Sequence, residues 1–127
     1  MQISVYSRDA LSGTGEFFNE RVLGRESVKK LITARIETTG NADMVQKVSQ
    51  DSAAIGYAAY TYAQQVGDSI NIIKVSDKKN KTGAIPSIEA TEETISTLKY
   101  PLSRYVYQFV REDKIKEDRI KKFIDFV

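Results

Sequence analysis

The sequence contains neither cysteine nor histidine among its 127 residues. Without cysteine, the chain can form no disulfide, thiolate nucleophile or cysteine-ligated metal site. Without histidine, it lacks the most frequent general acid–base group and the ligand of most zinc sites. Catalysis would have to use carboxylates, lysine or tyrosine, and no two acidic residues are spaced as a catalytic pair. These absences favour a binding module over an enzyme.

Long apolar runs and a strong excess of one charge are also absent. No segment approaches the roughly 20 apolar residues of a membrane-spanning helix, and the N-terminus lacks the pattern of a signal peptide. The 19 basic and 17 acidic residues leave a net charge of +2, too small to indicate a nucleic-acid partner. A cytosolic protein, a mature exported protein and an excised part of a longer protein all fit this pattern. The length indicates one domain, residues 1–127.

Segments with strand and helix patterns alternate along the chain, which predicts an α/β sandwich around a mixed sheet. We expect strands at 3–6, 53–57, 69–76 and 105–110. We expect helices at 15–23, 42–50, 58–65, 88–98 and 114–127. Residues 31–36 form a short extended or helical piece. Asn41 is predicted to cap the helix that follows it, and Gly56 to admit another backbone closely.

An arginine and a Ser-Gly-Thr turn lie between the first predicted strand and the first predicted helix. A helix N-terminus offers unpaired N–H groups and a partial positive charge, and Gly13 permits close approach of a ligand. The hydroxyls of Ser12 and Thr14 and the guanidinium of Arg8 add further donors. These groups suit an oxyanion. The alternative is that Ser12 or Thr14 only caps the helix, but a cap does not need Arg8.

Several segments, in the same order along almost the whole chain, resemble the PstS-type phosphate-binding proteins of bacterial ABC transporters. The arginine with the Ser-Gly-Thr turn, the Ile-Gly-Tyr strand and the Tyr-Pro-Leu-Ser-Arg segment are specific in combination. The matching segments are residues 7–9, 12–14, 17–18, 48, 54–57, 72–75, 86–87, 94–95, 100–104 and 123–127.

The resemblance implies a type 2 periplasmic-binding-protein fold in which this chain is one mixed-sheet, three-layer lobe of two. The first lobe would lie upstream, and a further stretch would follow the last residue. The implied ligand is inorganic phosphate, without a cofactor, and the implied partner is the membrane permease of a phosphate ABC transporter. The implied location is extracytoplasmic, as a periplasmic protein or a surface lipoprotein. One lobe alone is expected to bind phosphate only at millimolar concentration or more weakly, because half a site stays open to water.

The resemblance also implies a set of site residues. The phosphate contacts of this lobe would be Arg8, Ser12, Gly13 and Thr14, with Asp9 holding the arginine in place. The family commonly has glycine immediately before Ser-Gly-Thr, where this chain has Leu11. Phosphate binding therefore depends on whether a turn without that glycine has the same geometry.

Two other functions remain open beside phosphate binding. The chain could be a receptor or sensor lobe for another oxyanion, or a structural or interaction domain in which Ser-Gly-Thr only caps a helix. A phosphoryl-transfer enzyme is disfavoured, because the sequence has no Walker-type motif, no metal-ligand cluster and no histidine. Gly56, Tyr57 and Tyr100 are expected to be structural, and Arg104 to be a structural ion-pair partner.

Overall fold

A computed structural model of the chain describes residues 2–24, 34–76 and 86–126. The strands are β1 (Ser4–Arg8), β2 (Arg35–Thr38) and β3 (Ala54–Ile55). The helices are α1 (Gly13–Leu23), α2 (Asn41–Gln50), α3 (Tyr60–Gln65), α4 (Glu92–Ser96) and α5 (Asp118–Phe126). Short 3₁₀ turns occupy Gly67–Ser69 and Glu112–Lys114.

The three strands form one sheet in the order β2-β1-β3, with β1 parallel to both neighbours. Parallel strands require crossover connections, and α2 lies in the connection between β2 and β3. The predicted α/β class is confirmed. Within the described residues the sheet itself is parallel rather than mixed, and the antiparallel pairing is an isolated bridge between Val75 and Ile88.

Helix α2 packs on the sheet and supplies two of the four buried apolar residues in the described part of the chain. Met44 is 1% exposed, and Val45 and Tyr6 of β1 are also buried. The helix begins at Asn41, one residue before the prediction, and its N-cap is Gly40. The prediction that Asn41 is the N-cap is therefore wrong, because its side chain is engaged elsewhere.

Gly56 follows β3 directly and lies against α2. A Cβ on this glycine would stand 2.5 Å from Met44 Sδ and 3.0 Å from Val48 Cγ2. The close approach predicted for Gly56 is present, but the neighbour consists of helix side chains rather than another backbone.

The predictions are less accurate in the second half of the chain. Strands predicted at 69–76 and 105–110 are wrong, because neither segment pairs with a sheet strand in the described residues. The helices predicted at 88–98 and 114–127 are shorter in the structure, where they are α4 and α5. Residue 127 of the second prediction and residues 31–33 of the predicted piece at 31–36 lie outside the described residues. No helix in the described ranges is long and apolar enough to cross a membrane.

Candidate anion-binding site

The ends of the three strands and the starts of two helices meet at one edge of the sheet. Strand β1 ends at Arg8 and β2 at Thr38, and α1 and α2 begin within a few residues of those ends. The N–H of Asp9 donates to the carbonyl of Thr38 at 3.2 Å, which joins the two turns. In open α/β sheets, ligands bind at this edge, outside the carboxyl ends of the strands.

The turn between β1 and α1 is closed by Asp9. Its carbonyl accepts from Ser12 N at 3.2 Å, and its Oδ1 accepts from Leu11 N at 3.0 Å. The Leu11 side chain is 97% exposed, and its φ is not positive, since Leu98 alone has a positive φ among the described non-glycine residues. The turn therefore does not require glycine at Leu11.

Ser12 is the N-cap of α1. Its Oγ accepts from Gly15 N at 3.1 Å, and the residue is only 8% exposed. A hydroxyl accepts and donates at the same time, so capping leaves the Ser12 proton available for another acceptor. The capping role and the anion-binding role are compatible in one side chain.

The first turn of α1 presents unused donors. Across the described ranges, the N–H groups of Gly13 and Thr14 and the Thr14 hydroxyl have no protein acceptor. A Cβ on Gly13 would meet nothing within 4 Å, whereas a Cβ on Gly15 would stand 3.1 Å from Arg8 Cβ. Gly13 thus leaves open surface beside these donors, and Gly15 allows α1 to pack against β1.

Two residues from elsewhere in the chain, Asn41 and Tyr57, hold Arg8 in place. Its Nη1 donates to Asn41 Oδ1 at 2.6 Å, and its backbone N–H donates to the Tyr57 hydroxyl at 3.2 Å. The Tyr57 ring in turn stacks on Phe18 of α1 at 4.0 Å between centroids. The buried Nε of Arg8 has no hydrogen-bond partner in the part of the chain that is described.

The carboxylates near Arg8 have other partners. In the described residues no carboxylate lies within ion-pair distance of its guanidinium. Asp43 is instead hydrogen-bonded to Lys47 Nζ and Thr39 N, and these bonds, with a weaker attraction to Arg8, lower its pKa. The role of Asp9 in holding Arg8 stays a prediction. In the structure the Asp9 carboxylate accepts a hydrogen bond from the backbone N–H of Leu11, in its own turn.

Arg104 also contacts the first turn of α1. Its Nη1 donates to the Gly13 carbonyl at 3.0 Å, and its guanidinium lies 5.1 Å from the centroid of the Phe17 ring. The predicted ion pair is wrong as far as the described residues go, because none of their carboxylates lies within ion-pair distance of Arg104. Arg104 steadies the helix start through a carbonyl and a ring instead.

Sequence reasoning missed Asn41 as the partner of Arg8. The contact joins residues 33 positions apart, and no local pattern encodes it. The usable signal was its place at the start of a helix that follows a parallel strand, because that position lies at the same sheet edge as the arginine. No group of acidic residues within the described ranges could hold a metal ion.

The sequence of the chain is similar to those of several curated proteins. The chain is 32% identical over 127 residues to the phosphate-binding protein PstS of Staphylococcus haemolyticus, covering 98% of the chain and 37% of the relative. It is 34% identical to that of Staphylococcus saprophyticus and 30% identical to that of Staphylococcus aureus, covering 99% of the chain and 36% of each relative.

The chain therefore spans little more than a third of the length of the curated relatives it matches. No solved structure is significantly similar to it. Its whole length, residues 1–127, matches the PBP superfamily domain. The chain belongs to the PBP superfamily.

Proposed function

We propose that this chain is the second lobe of a solute-binding protein for phosphate uptake, and that it binds inorganic phosphate without catalysis. Three relatives from separate species are named phosphate-binding proteins, which supports the ligand. The observation that carries the proposal is the open N-terminal turn of α1. There the N–H groups of Gly13 and Thr14 have no protein acceptor in the described ranges, and the Cβ of Arg8 lies against Gly15 of the same turn. Arg8 has no carboxylate partner among the described residues.

Each residue has a distinct role in this proposal. Arg8 supplies positive charge and further guanidinium N–H donors beyond the one bound to Asn41. The backbone N–H groups of Gly13 and Thr14 and the hydroxyls of Ser12 and Thr14 complete the donor set. Asp9 supports the site by closing the turn that carries these donors.

In a protein of the relatives' length, the anion would be enclosed between this lobe and a first lobe. Val106 and Phe109 are 87% and 94% exposed in a segment that forms neither helix nor strand, and such an apolar surface is typical of an interface. Closure of two lobes would replace water around the anion with fixed donors. The further partner would be the permease of a phosphate ABC transporter, outside the cytoplasmic membrane.

Thermal unfolding with and without phosphate tests the proposal. A ligand at ten times its Kd stabilises the folded state by about 1.4 kcal/mol, so high millimolar phosphate should raise the wild-type midpoint by a few degrees. Arg8→Ala should lose this increase. Arg21→Ala is the matched control, because Arg21 lies on α1 and donates to the Pro101 carbonyl instead. An equal increase in wild type and Arg8→Ala would contradict the proposal.

A further inference from the structure

Asn41 joins three segments at the carboxyl edge of the sheet. Its Oδ1 accepts from Arg8 Nη1 at 2.6 Å and from Ala59 N at 3.2 Å. Arg8 ends β1, Asn41 opens α2, and Ala59 precedes α3. Both partners are donors, so the atom between them must be the amide oxygen, and the network fixes the orientation of the side chain.

The chemical type of this acceptor is unusual for a partly buried arginine contact. Guanidinium groups are commonly held by carboxylates, which pair with their charge. Here Asn41 is neutral, while the Asp9 carboxylate binds its own turn and the Asp43 carboxylate binds Lys47. The Arg8 guanidinium is therefore oriented without an ion pair from any described residue.

We infer that Asn41 is the positioning residue of the anion site, and that its neutrality keeps the charge of Arg8 available to the anion. This inference rests on the proposed phosphate binding. An aspartate at the same position would accept the same two hydrogen bonds and hold the arginine equally well. It would also form an ion pair with the guanidinium and repel an incoming anion. One substitution can therefore separate the orientation of the Arg8 side chain from the positive charge that Arg8 offers to the anion.

Asn41→Asp tests the role of the charge. Its unfolding midpoint without phosphate should equal or exceed that of wild type, because both hydrogen bonds remain and the new charge lies at a helix N-terminus. Phosphate binding, followed by amide NMR titration, should weaken about ten-fold, comparable to the loss of one charge-assisted hydrogen bond. The control is Gln46→Asp, which adds the same charge at an exposed position of the same helix. Wild-type affinity in Asn41→Asp would overturn the inference.

The side-chain Nε–H signal of Arg8 tests the positioning without any ligand. In wild type and Asn41→Asp the signal should show the heteronuclear NOE of an ordered side chain, and in Asn41→Ala it should lose that order. An equally ordered Arg8 in Asn41→Ala would overturn the positioning role. If the wild-type chain showed no phosphate-dependent shifts, the proposed function would fail, and the Arg8 signal alone would decide whether Asn41 positions it.

Discussion

Gly13 and Gly15 lie two positions apart at the start of α1 in different surroundings. A methyl group on Gly13 would point into open space, and one on Gly15 would press against Arg8 Cβ at 3.1 Å. Gly13→Ala should therefore leave the free energy of unfolding unchanged or raise it by up to about 1 kcal/mol, since alanine favours helix. The same methyl should weaken phosphate binding by occupying the surface beside the donors.

The matched control for that prediction is Gly15→Ala. It should lower the unfolding midpoint, because β1 and α1 would have to separate slightly. Denaturant unfolding and phosphate titration of both variants separate the two effects. Unchanged phosphate affinity in Gly13→Ala would argue against an anion at this turn.

Leu98 is in the left-handed region at φ 55°, just after α4. A side chain in that region costs about 1–2 kcal/mol, which glycine avoids. Leu98→Gly should leave stability unchanged or raise it by up to about 1 kcal/mol, since the leucine is already 39% exposed. Leu102→Gly, at a position without positive φ, should lower it. A large loss of stability in Leu98→Gly in urea unfolding would mean that its packing outweighs the backbone strain.

At the scale of elements, the contact between Gly56 and α2 fixes how β3 lies against the helix. Gly56→Ala would place a methyl 2.5 Å from Met44 Sδ, and Met44 is almost fully buried. Such overpacking should lower the free energy of unfolding by about 1–3 kcal/mol. Combining it with Met44→Val should recover part of the loss, because the shorter side chain leaves room. Strictly additive effects in the double variant would show that the two residues do not compete for space.

The turn from α2 to β3 carries a carboxylate whose protonation should weaken the fold. Hydrogen bonds from Ser4, Ala53 N and Tyr6 lower the pKa of Asp51 below its ordinary value of 3.8. Because the pKa of this carboxyl is lower in the folded chain than in the unfolded chain, the ionised group stabilises the fold at pH values above the unfolded pKa. This stabilisation is lost as the pH falls through the folded pKa. Unfolding midpoints from neutral to acid pH should therefore decline less steeply in Asp51→Asn than in wild type. Identical slopes would exclude this contribution.

Helices and strands could be predicted from the sequence where the residues that define them are close together along the chain. Strand β1 and helix α2 follow from alternation and helical periodicity, whereas α1 begins at Gly13, two residues before the predicted start at 15. Alternation at 105–110 was misleading, because a strand forms only when another strand lies beside it, and no local pattern supplies one. The Ser12 cap could be predicted, whereas the Arg8–Asn41 contact depends on where two strand ends meet.

At the scale of the whole molecule, residues 105–110 are the most exposed apolar segment that the structure describes. Val106 and Phe109 are almost fully exposed, so the isolated chain should self-associate at high concentration through them. Val106→Lys with Phe109→Lys should reduce self-association in sedimentation velocity without lowering the unfolding midpoint. A fall of several degrees in that midpoint would show instead that these side chains stabilise the lobe itself.

The most direct test of the account is a phosphate titration of the full 127-residue chain followed by amide NMR. We expect the amide signals of Ser12, Gly13 and Thr14 and the Arg8 Nε–H signal to shift together and to saturate at millimolar phosphate. Signals of α5 should stay in place. Shifts confined to other surfaces, or none at high phosphate, would contradict an anion site at the start of α1.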